Sequence, residues 1–592
     1  MSVIETLRTS LLLQKALLLT VPLLLSNHSI IYKTTMPYVR FVFSSVLLAL
    51  IASTVINAHP GAHGTQRIAL NNQTVPLDIG TIPEIPEEEL VILKARVVNV
   101  HSGVLIPHRV RISDSQNRYY PPEGHTELGE LEGHVDNVTL EPDLVNRGNK
   151  SWAMIEGGTF TVRLRAIDGY SVRLFHGFEF SQPTYHMNLS CMAGKTIERT
   201  FELKQSIDMQ ARGWMSADSH VHSLSPEGAM RQMEVEDVDY TNLMFIGPEH
   251  PLYTRGFVTG KANPVSTKDR IVYVSQEVRD MEQGHMTLMG MKNPIEPVLI
   301  YTGTGKNEPE QRPNEPLNRQ VTRRMHHQDV MAFHAHYLFW PGYGSAVGCA
   351  LGLLDGLEWT STDIVNNRRR TRQGLAIPGY ETNPTGYDSG QLYYRMLNCG
   401  VRLPLIGGTD KMSAASPIGS VARTYAKVDE WSHDGLMEGI REGNTFVTNG
   451  PLLSFSANRA SMGGELKFSG DGPFMIEIRG RCITQRPVNY LQVVHNGKVI
   501  HEVRTEDYQL RLKLFLELNV TESGWIALRA GADQPDPEDW LNYTMAAHTS
   551  PIYINVNDQP SANAEDAKNL LAIDSFNKAR DYYQSSLTRA NK

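Results

Sequence analysis

Between residues 211 and 450 the sequence breaks into short apolar runs, each closed or followed by polar or ionisable residues: YTNLMFI, RIVYVSQEV, HMTLMGM, DVMAFHAH and LPLIGGTD. Runs of this length, apolar on both faces and separated by longer polar or helical stretches, are the pattern of parallel strands buried on both sides. In a barrel of such strands the side chains at the C-terminal strand ends gather around one mouth. This segment is therefore expected to form an α/β barrel whose polar strand ends converge.

The flanking segments follow a period of two. LVILKARVVNV, HRVRISDS, TFTVRLRAI, YSVRLFHG and KTIERTFELKQ are rich in Val, Ile, Thr, Phe and Arg, which predicts an antiparallel β-sandwich over 89–210. The β pattern returns after Gly450-Pro451 in PLLSFSAN, FMIEIRGRC, YLQVVHNGKVI, YQLRLKLFLEL, GWIALRAG and SPIYINV, giving a second β domain over 451–557. In 558–592, Leu570, Leu571, Ile573, Phe576 and Tyr583 stand close to helical spacing, and one amphipathic helix is expected. A chain of 592 residues is too long for one core and should divide in this way.

Ahead of these domains, MPYVRFVFSSVLLALIASTVINAHPG places basic Arg40, an apolar stretch from Phe41 to Ile56 and small Ala58 in the order of a secretory signal peptide cut after Ala58. The same stretch reads alternatively as a membrane anchor, although it is short for a bilayer span. A second apolar segment, LLLQKALLLTVPLLL at 11–25, precedes it, so either translation begins at Met36 or both segments associate with a membrane. Residues 1–58 are thus a signal peptide or membrane-targeting region, and a secreted, periplasmic or cell-surface protein is expected. Residues 59–88, with HPGAHG, NNQT and IPEIPEEE, read as a linker. Four cysteines, never spaced as CxxC, describe neither a zinc ribbon nor a disulfide framework, and leave one bridge open. The net charge of -8, with no long run of Lys or Arg, carries no electrostatic footprint for nucleic acid.

The stretch GWMSADSHVH ends in His220 and His222. With 21 histidines in the chain, chance alone supplies roughly one HxH, so the pair gains meaning only from the strand ends that follow. These are His250 after LMFIGPE, Glu277 after IVYVSQ, His285 in QGHMTL, His334 and His336 in MAFHAH, and Asp410 in IGGTD. Side chains two apart on a strand point the same way, so His220 and His222 can face one ion. Imidazole and carboxylate in mixture suit Zn, Mn or Fe. Set against this, Glu277 and Asp410 can cap a helix or pair with Arg279 or Arg423, and His250 and His285 can be satisfied polar residues at a strand edge. His334 is favoured over His336, which is left to hold a ligand in place or face substrate. His326, His327 and His433 read as solvated, and Trp340 and Trp359 as core or pocket wall.

DSHVHS followed by Glu227, then PEH, then Glu277 with a downstream GH, an apolar strand into His334, and GGTD resembles the ordered motifs of the PHP (polymerase and histidinol phosphatase) superfamily. RVVNVHSGVLIPHRVRISD, GGTDKMSAASPIG, REGNTFVTNGP and AAHTSPIYI are similar to its secreted carbaryl-hydrolase-like branch, the CehA/McbA metallohydrolases, and the resemblance covers most of 90–556. It implies a distorted (β/α)7-type barrel with a multinuclear metal centre, flanked by N- and C-terminal β-sandwiches. His220 and His222 then match the first histidine pair, Glu227 an acidic ligand beyond it and His250 the next histidine. Glu277 matches a bridging carboxylate, His285 and His334 later histidines, and Asp410 the last aspartate. The superfamily usually has DxH at that final motif. Here Met412 holds the histidine position, which points to two divalent ions rather than three.

The activity implied is hydrolysis of an ester, amide or carbamate by metal-activated water, on a small-molecule or polymer-attached substrate, with a phosphoesterase or a non-catalytic polymer-binding protein as the alternatives. Asp410 is the candidate for orienting the water or taking its proton. Lys411 either binds an anionic or carbonyl group at the mouth or is solvated, and Arg255, Lys261 and Arg423 are further candidates of the same kind. Asp218 is expected to hold the imidazoles in orientation.

Overall fold

The computed structural model describes residues 84–127, 152–222, 224–245, 255–278, 285–295, 325, 327–335, 348–349, 352–360, 390–410, 417–534 and 544–561. The expected targeting region, the expected linker up to residue 83, and the helix expected toward the C-terminus, from residue 562 onward, lie outside them. The described residues all belong to one compact unit. The described residues are mostly strand, with few helices, arranged in several sheets.

The first alternating segments form β1 (Leu90–Asn99), β2 (His108–Ser113), β3 (Thr126–Glu127), β4 (Ala153–Ile155), β5 (Thr159–Arg165), β6 (Tyr170–Phe175), β7 (Thr184–Met187) and β8 (Thr196–Leu203). Sheets β5-β1-β8 and β3-β4-β2-β6-β7 enclose one apolar core, into which alternate residues such as Leu93, Val162, Val110 and Val172 project. The sandwich is not purely antiparallel, because β1 and β8 run parallel with Leu93 opposite Ile197. The chain leaves β1, builds the second sheet and returns in the same direction, and a connection of that length permits parallel pairing.

The next segment supplies β9 (Trp214–Val221), α1 (Pro226–Glu236), β10 (Tyr240–Phe245), β11 (Ile271–Val278), β12 (Met286–Met289), β13 (Met331–His334), β14 (Gly356–Thr360), α2 (Gly390–Asn398), β15 (Leu405–Gly408), β16 (Arg423–Lys427), α3 (His433–Arg441) and β17 (Thr445–Thr448). Pairing is parallel along β9-β10-β11 and again along β13-β14-β15, as short doubly buried runs predict. The expectation of parallel pairing throughout is corrected at β12, antiparallel to both β11 and β13, and at β16, antiparallel to β9 and β17. A parallel crossover needs a dozen or more residues. The segment from 279 to 285 is too short for one, so the chain turns back. Helix α1 starts where Ser225 Oγ accepts from Gly228 N, with Pro226 in the first turn, both standard start signals.

The C-terminal strands are β18 (Leu452–Ala457), β19 (Ala460–Ser461), β20 (Glu465–Phe468), β21 (Phe474–His495), β22 (Lys498–Val520), β23 (Gly524–Gly531), β24 (Ala546–Thr549) and β25 (Ile552–Val556). β21 and β22 form a long hairpin that turns at Asn496 and Gly497, whose φ values of 48° and 83° suit the two-residue turn favoured by Asn-Gly. Residue Phe446 of β17 pairs with Thr549 of β24, so a hydrogen-bonded ladder crosses the expected 450/451 boundary.

Two buried arginines bind the first sandwich to the sheet that follows. Arg109 of β2 forms an ion pair with Glu236 of α1, both side chains fully buried, and its guanidinium lies 4.2 Å from the Phe175 ring centroid. Arg423 is likewise buried. It donates to the carbonyls of Gly419, Asp237 and Glu236 and sits 4.1 Å over Phe178. This corrects its expected place at the mouth or beside a site carboxylate, since an apolar shell and three carbonyls already hold the guanidinium.

His433 is also corrected. Rather than being solvated, it opens α3 and stacks on Tyr273 with ring centroids 3.9 Å apart, while its Nδ1 and Tyr240 Oη share a hydrogen bond of 3.0 Å. Burial lowers its pKa to about 4, against the opposing pull of Asp434. A histidine whose folded pKa lies below its ordinary 6.5 binds fewer protons folded than unfolded between those values, so its share of stability is lost as pH falls through that window. That share is on the order of 3 kcal/mol. His433→Phe, which keeps the stacked ring, is expected to flatten the stability loss between pH 6.5 and 4 in urea titrations. Equal slopes for variant and wild type would contradict this role.

Candidate metal centre

β9 carries His220, and His222 follows directly after its last residue; both side chains are buried. Their outer nitrogens are already engaged. His220 Nδ1 donates to Glu358 Oε2 at 2.7 Å, and His222 Nδ1 donates to the Met244 carbonyl at 3.0 Å. A ring that donates from Nδ1 presents the Nε2 lone pair on its other side. The two Nε2 atoms lie 2.9 Å apart, a separation that two lone pairs tolerate only around a proton or a cation.

Two carboxylates close on the same point. Asp410 Oδ1 is 3.4 Å from His220 Nε2, and Glu277 places its two oxygens 3.6 Å from His220 Nε2 and 3.2 Å from His222 Nε2. Among the described residues His220, His222 and Asp410 form a group whose ligand atoms all lie within 4.8 Å of one another. Bonds of about 2.0–2.2 Å to one zinc ion allow two ligands a separation of up to about 4.4 Å. The 2.9, 3.2 and 3.4 Å separations fall inside that limit. The donor set therefore fits a divalent ion. Burial opposes charge on His220, and Glu358, Asp410 and Glu277 overcome it to hold its pKa well above the ordinary range.

Glu358 on β14 escapes the sequence reading, yet it anchors the centre. Its Oε1 accepts from Ser219 Oγ at 2.5 Å and its Oε2 from Thr287 Oγ1 at 2.6 Å, in addition to His220. The available signal is a carboxylate between the apolar Leu357 and Trp359 in LDGLEWT, much as Glu277 stands in IVYVSQEV. A carboxylate behind a ligating histidine fixes its tautomer and raises its basicity, and losing it typically costs about 10–100-fold in metal affinity. Glu358→Gln is expected to weaken zinc binding by that factor in competition titrations with a chromophoric chelator. Unchanged affinity would remove Glu358 from the centre.

The remaining expected residues divide. His285 is buried, with Nδ1 2.9 Å from Glu277 Oε1, and so joins the centre through that carboxylate. His334 is fully buried at the end of β13, in register with Met286 and Leu357. Glu227 is exposed in the first turn of α1, apart from the buried cluster, where its charge meets the positive end of the helix. Asp218 does not orient imidazoles. Its carboxylate accepts from the backbone N–H groups of His220, Thr409 and Gly419 and from Thr409 Oγ1, and so ties the end of β9 to the loop carrying Asp410. Lys261 is exposed, Arg255 lies in a short 3-10 turn, and His327 is exposed. Trp359 is core, packed against His548. His250, His326, His336, Trp340, Arg279, Lys411 and Met412 lie outside the described residues. None of the four cysteines forms a disulfide.

Gly408 explains how closely the strand leading to Asp410 approaches the end of β9. A Cβ on Gly408 would stand 2.6 Å from the His220 nitrogen, so only glycine lets β15 lie against the end of β9. Asp410 itself holds a left-handed φ of 50°, a backbone state that ordinary residues rarely keep and that clusters at functional sites.

No family model matches the chain, and no curated protein matches it. Among solved structures, a two-domain protein containing a predicted PHP-like metal-dependent phosphoesterase from Bacteroides vulgatus ATCC 8482 is 12% identical, with a TM-score of 0.28, over 56% of this chain and 95% of that one. PsfC from Pseudomonas syringae PB-5123 is 14% identical, with a TM-score of 0.25, over 38% of this chain and 87% of that one. At these TM-scores neither likeness assigns a fold or a chemistry to this chain.

Proposed function

We propose that the chain is an exported metal-dependent hydrolase of the PHP superfamily, in its carbaryl-hydrolase-like branch, which cleaves ester, amide or carbamate bonds with water. The observation that carries the reading is the pair of buried imidazoles whose Nδ1 atoms are held by Glu358 and the Met244 carbonyl while both Nε2 atoms face each other beside Glu277 and Asp410. Export rests on the sequence of residues 1–58 alone.

His220, His222, Asp410 and Glu277 would hold a divalent ion, with His285 behind Glu277. Such an ion, when bound, supplies Lewis-acid polarisation of the scissile carbonyl and lowers the pKa of water. The chain's own contribution is positional. Glu358, Ser219 and Thr287 lock the His220 ring, so that no reorganisation is needed when charge develops nearby. Asp410 is partly exposed where Glu277 is fully buried, which makes it the carboxylate able to meet water and accept its proton. Arg423, a candidate for holding a phosphate, is instead engaged by the carbonyls of Gly419, Asp237 and Glu236, which favours an acyl substrate over a phosphate.

The test is turnover of aryl esters and aryl carbamates beside aryl phosphates by one preparation, before and after chelation. Acyl hydrolysis that disappears with the metal and returns with Zn or Mn supports the proposal. Turnover confined to aryl phosphates would move the reading to a phosphoesterase, and a folded protein that takes up no metal would leave a non-catalytic role.

A further inference from the structure

The outer face of the β21–β22 hairpin, independent of the metal centre, carries a basic platform. In the ladder Arg479 stands opposite Phe515, Arg481 opposite Lys513, and Ile483 opposite Arg511. On the other side β18 sets Ser456 beside Arg479 and Ser454 beside Arg481. Alternation along a strand separates two faces. Ile476, Ile478, Cys482, Leu512 and Leu514 fill the core, and the arginines, Lys513 and Phe515 point to solvent.

Three features of this face ask for a partner. Arg479 is paired with Glu477 and lies 5.0 Å from the Phe515 ring centroid, but among the described residues Arg481, Arg511 and Lys513 have no carboxylate within ion-pair distance. Arg481 and Lys513 face each other across the ladder, where like charges repel and lower stability. Phe515 is 50% exposed although its ring adds most when covered.

We infer that this platform binds a linear acidic polysaccharide, carboxylated or sulfated. Charge complementarity carries the assignment. Cations spaced about 5–7 Å along and across the strands match a sparse row of anions better than duplex DNA, with one charge per about 1.7 Å. Glu477 and Glu517, opposite each other, close the platform at one end and repel a densely charged strand there. Phe515, with the Arg479 guanidinium beside it, offers a ring-sized apolar face for a sugar, and the short Ser454 and Ser456 keep the approach flat.

The experiment measures binding of the full-length protein to polygalacturonate and to heparin, with dextran, a single-stranded oligonucleotide and phosphatidylserine vesicles alongside. The wild type is expected to bind at least one acidic polysaccharide, more weakly as salt screens the charges, and to ignore dextran. The triple variant R481Q/R511Q/K513Q is expected to bind about tenfold more weakly or worse. Phe515→Ser should lose affinity while keeping the salt dependence. Circular dichroism and thermal unfolding like the wild type's would show that both variants are folded. The proposal is overturned by wild-type indifference to both acidic polysaccharides, by undiminished binding in the triple variant, or by preference for the oligonucleotide or the vesicles.

Discussion

Replacing His220 and His222 together by alanine is expected to abolish tight binding of divalent metal and to lower metal-dependent hydrolysis by about 10³-fold or more. Both side chains present Nε2 to the point where Asp410 and Glu277 converge. Without them only carboxylates remain on that side, and carboxylates alone favour Mg or Ca over Zn. Elemental analysis of the folded wild type and the double variant decides the matter. Metal content that falls sharply in the variant confirms the centre. Equal content in both proteins would place the metal elsewhere and sink the assignment.

Arg109→Ala is expected to destabilise the folded chain by about 3–5 kcal/mol, because it leaves the buried Glu236 carboxylate without its cation. Both groups are fully inaccessible, so water cannot replace the lost partner. The guanidinium also fills the space against Phe175 and, at 4.9 Å, Trp152, which adds a packing loss. The double replacement Arg109→Met with Glu236→Leu should recover much of the stability, since an apolar pair removes the desolvation cost of both charges. Denaturant unfolding of the three proteins measures this. A loss below about 1 kcal/mol for Arg109→Ala would mean that the pair behaves like a surface salt bridge.

These two sites show what kind of information each level holds. His220, His222, Glu277, His285 and Asp410 are legible in the sequence because each stands at the edge of an apolar run, and a polar group at the end of a buried strand must be satisfied or used. Glu358 carries the same mark in LDGLEWT but lacks a histidine neighbour to draw attention. Its importance appears only when β14 brings it behind His220. The Arg109–Glu236 pair is separated by 127 residues, and nothing local to either residue announces the other.

Local patterning determined the strands, their two-faced burial and the Asn-Gly hairpin turn. Periodicity and turn chemistry act over a few residues and need no distant partner. Tertiary structure decided the direction of β12 and β16, the burial of Arg423 and His433, the outward placement of Glu227 and the use of Asp218 as a backbone clamp. Each of these depends on which segment packs against which. Loop lengths, desolvation and close approaches such as Gly408 on His220 settle such questions only when the chain has closed on itself.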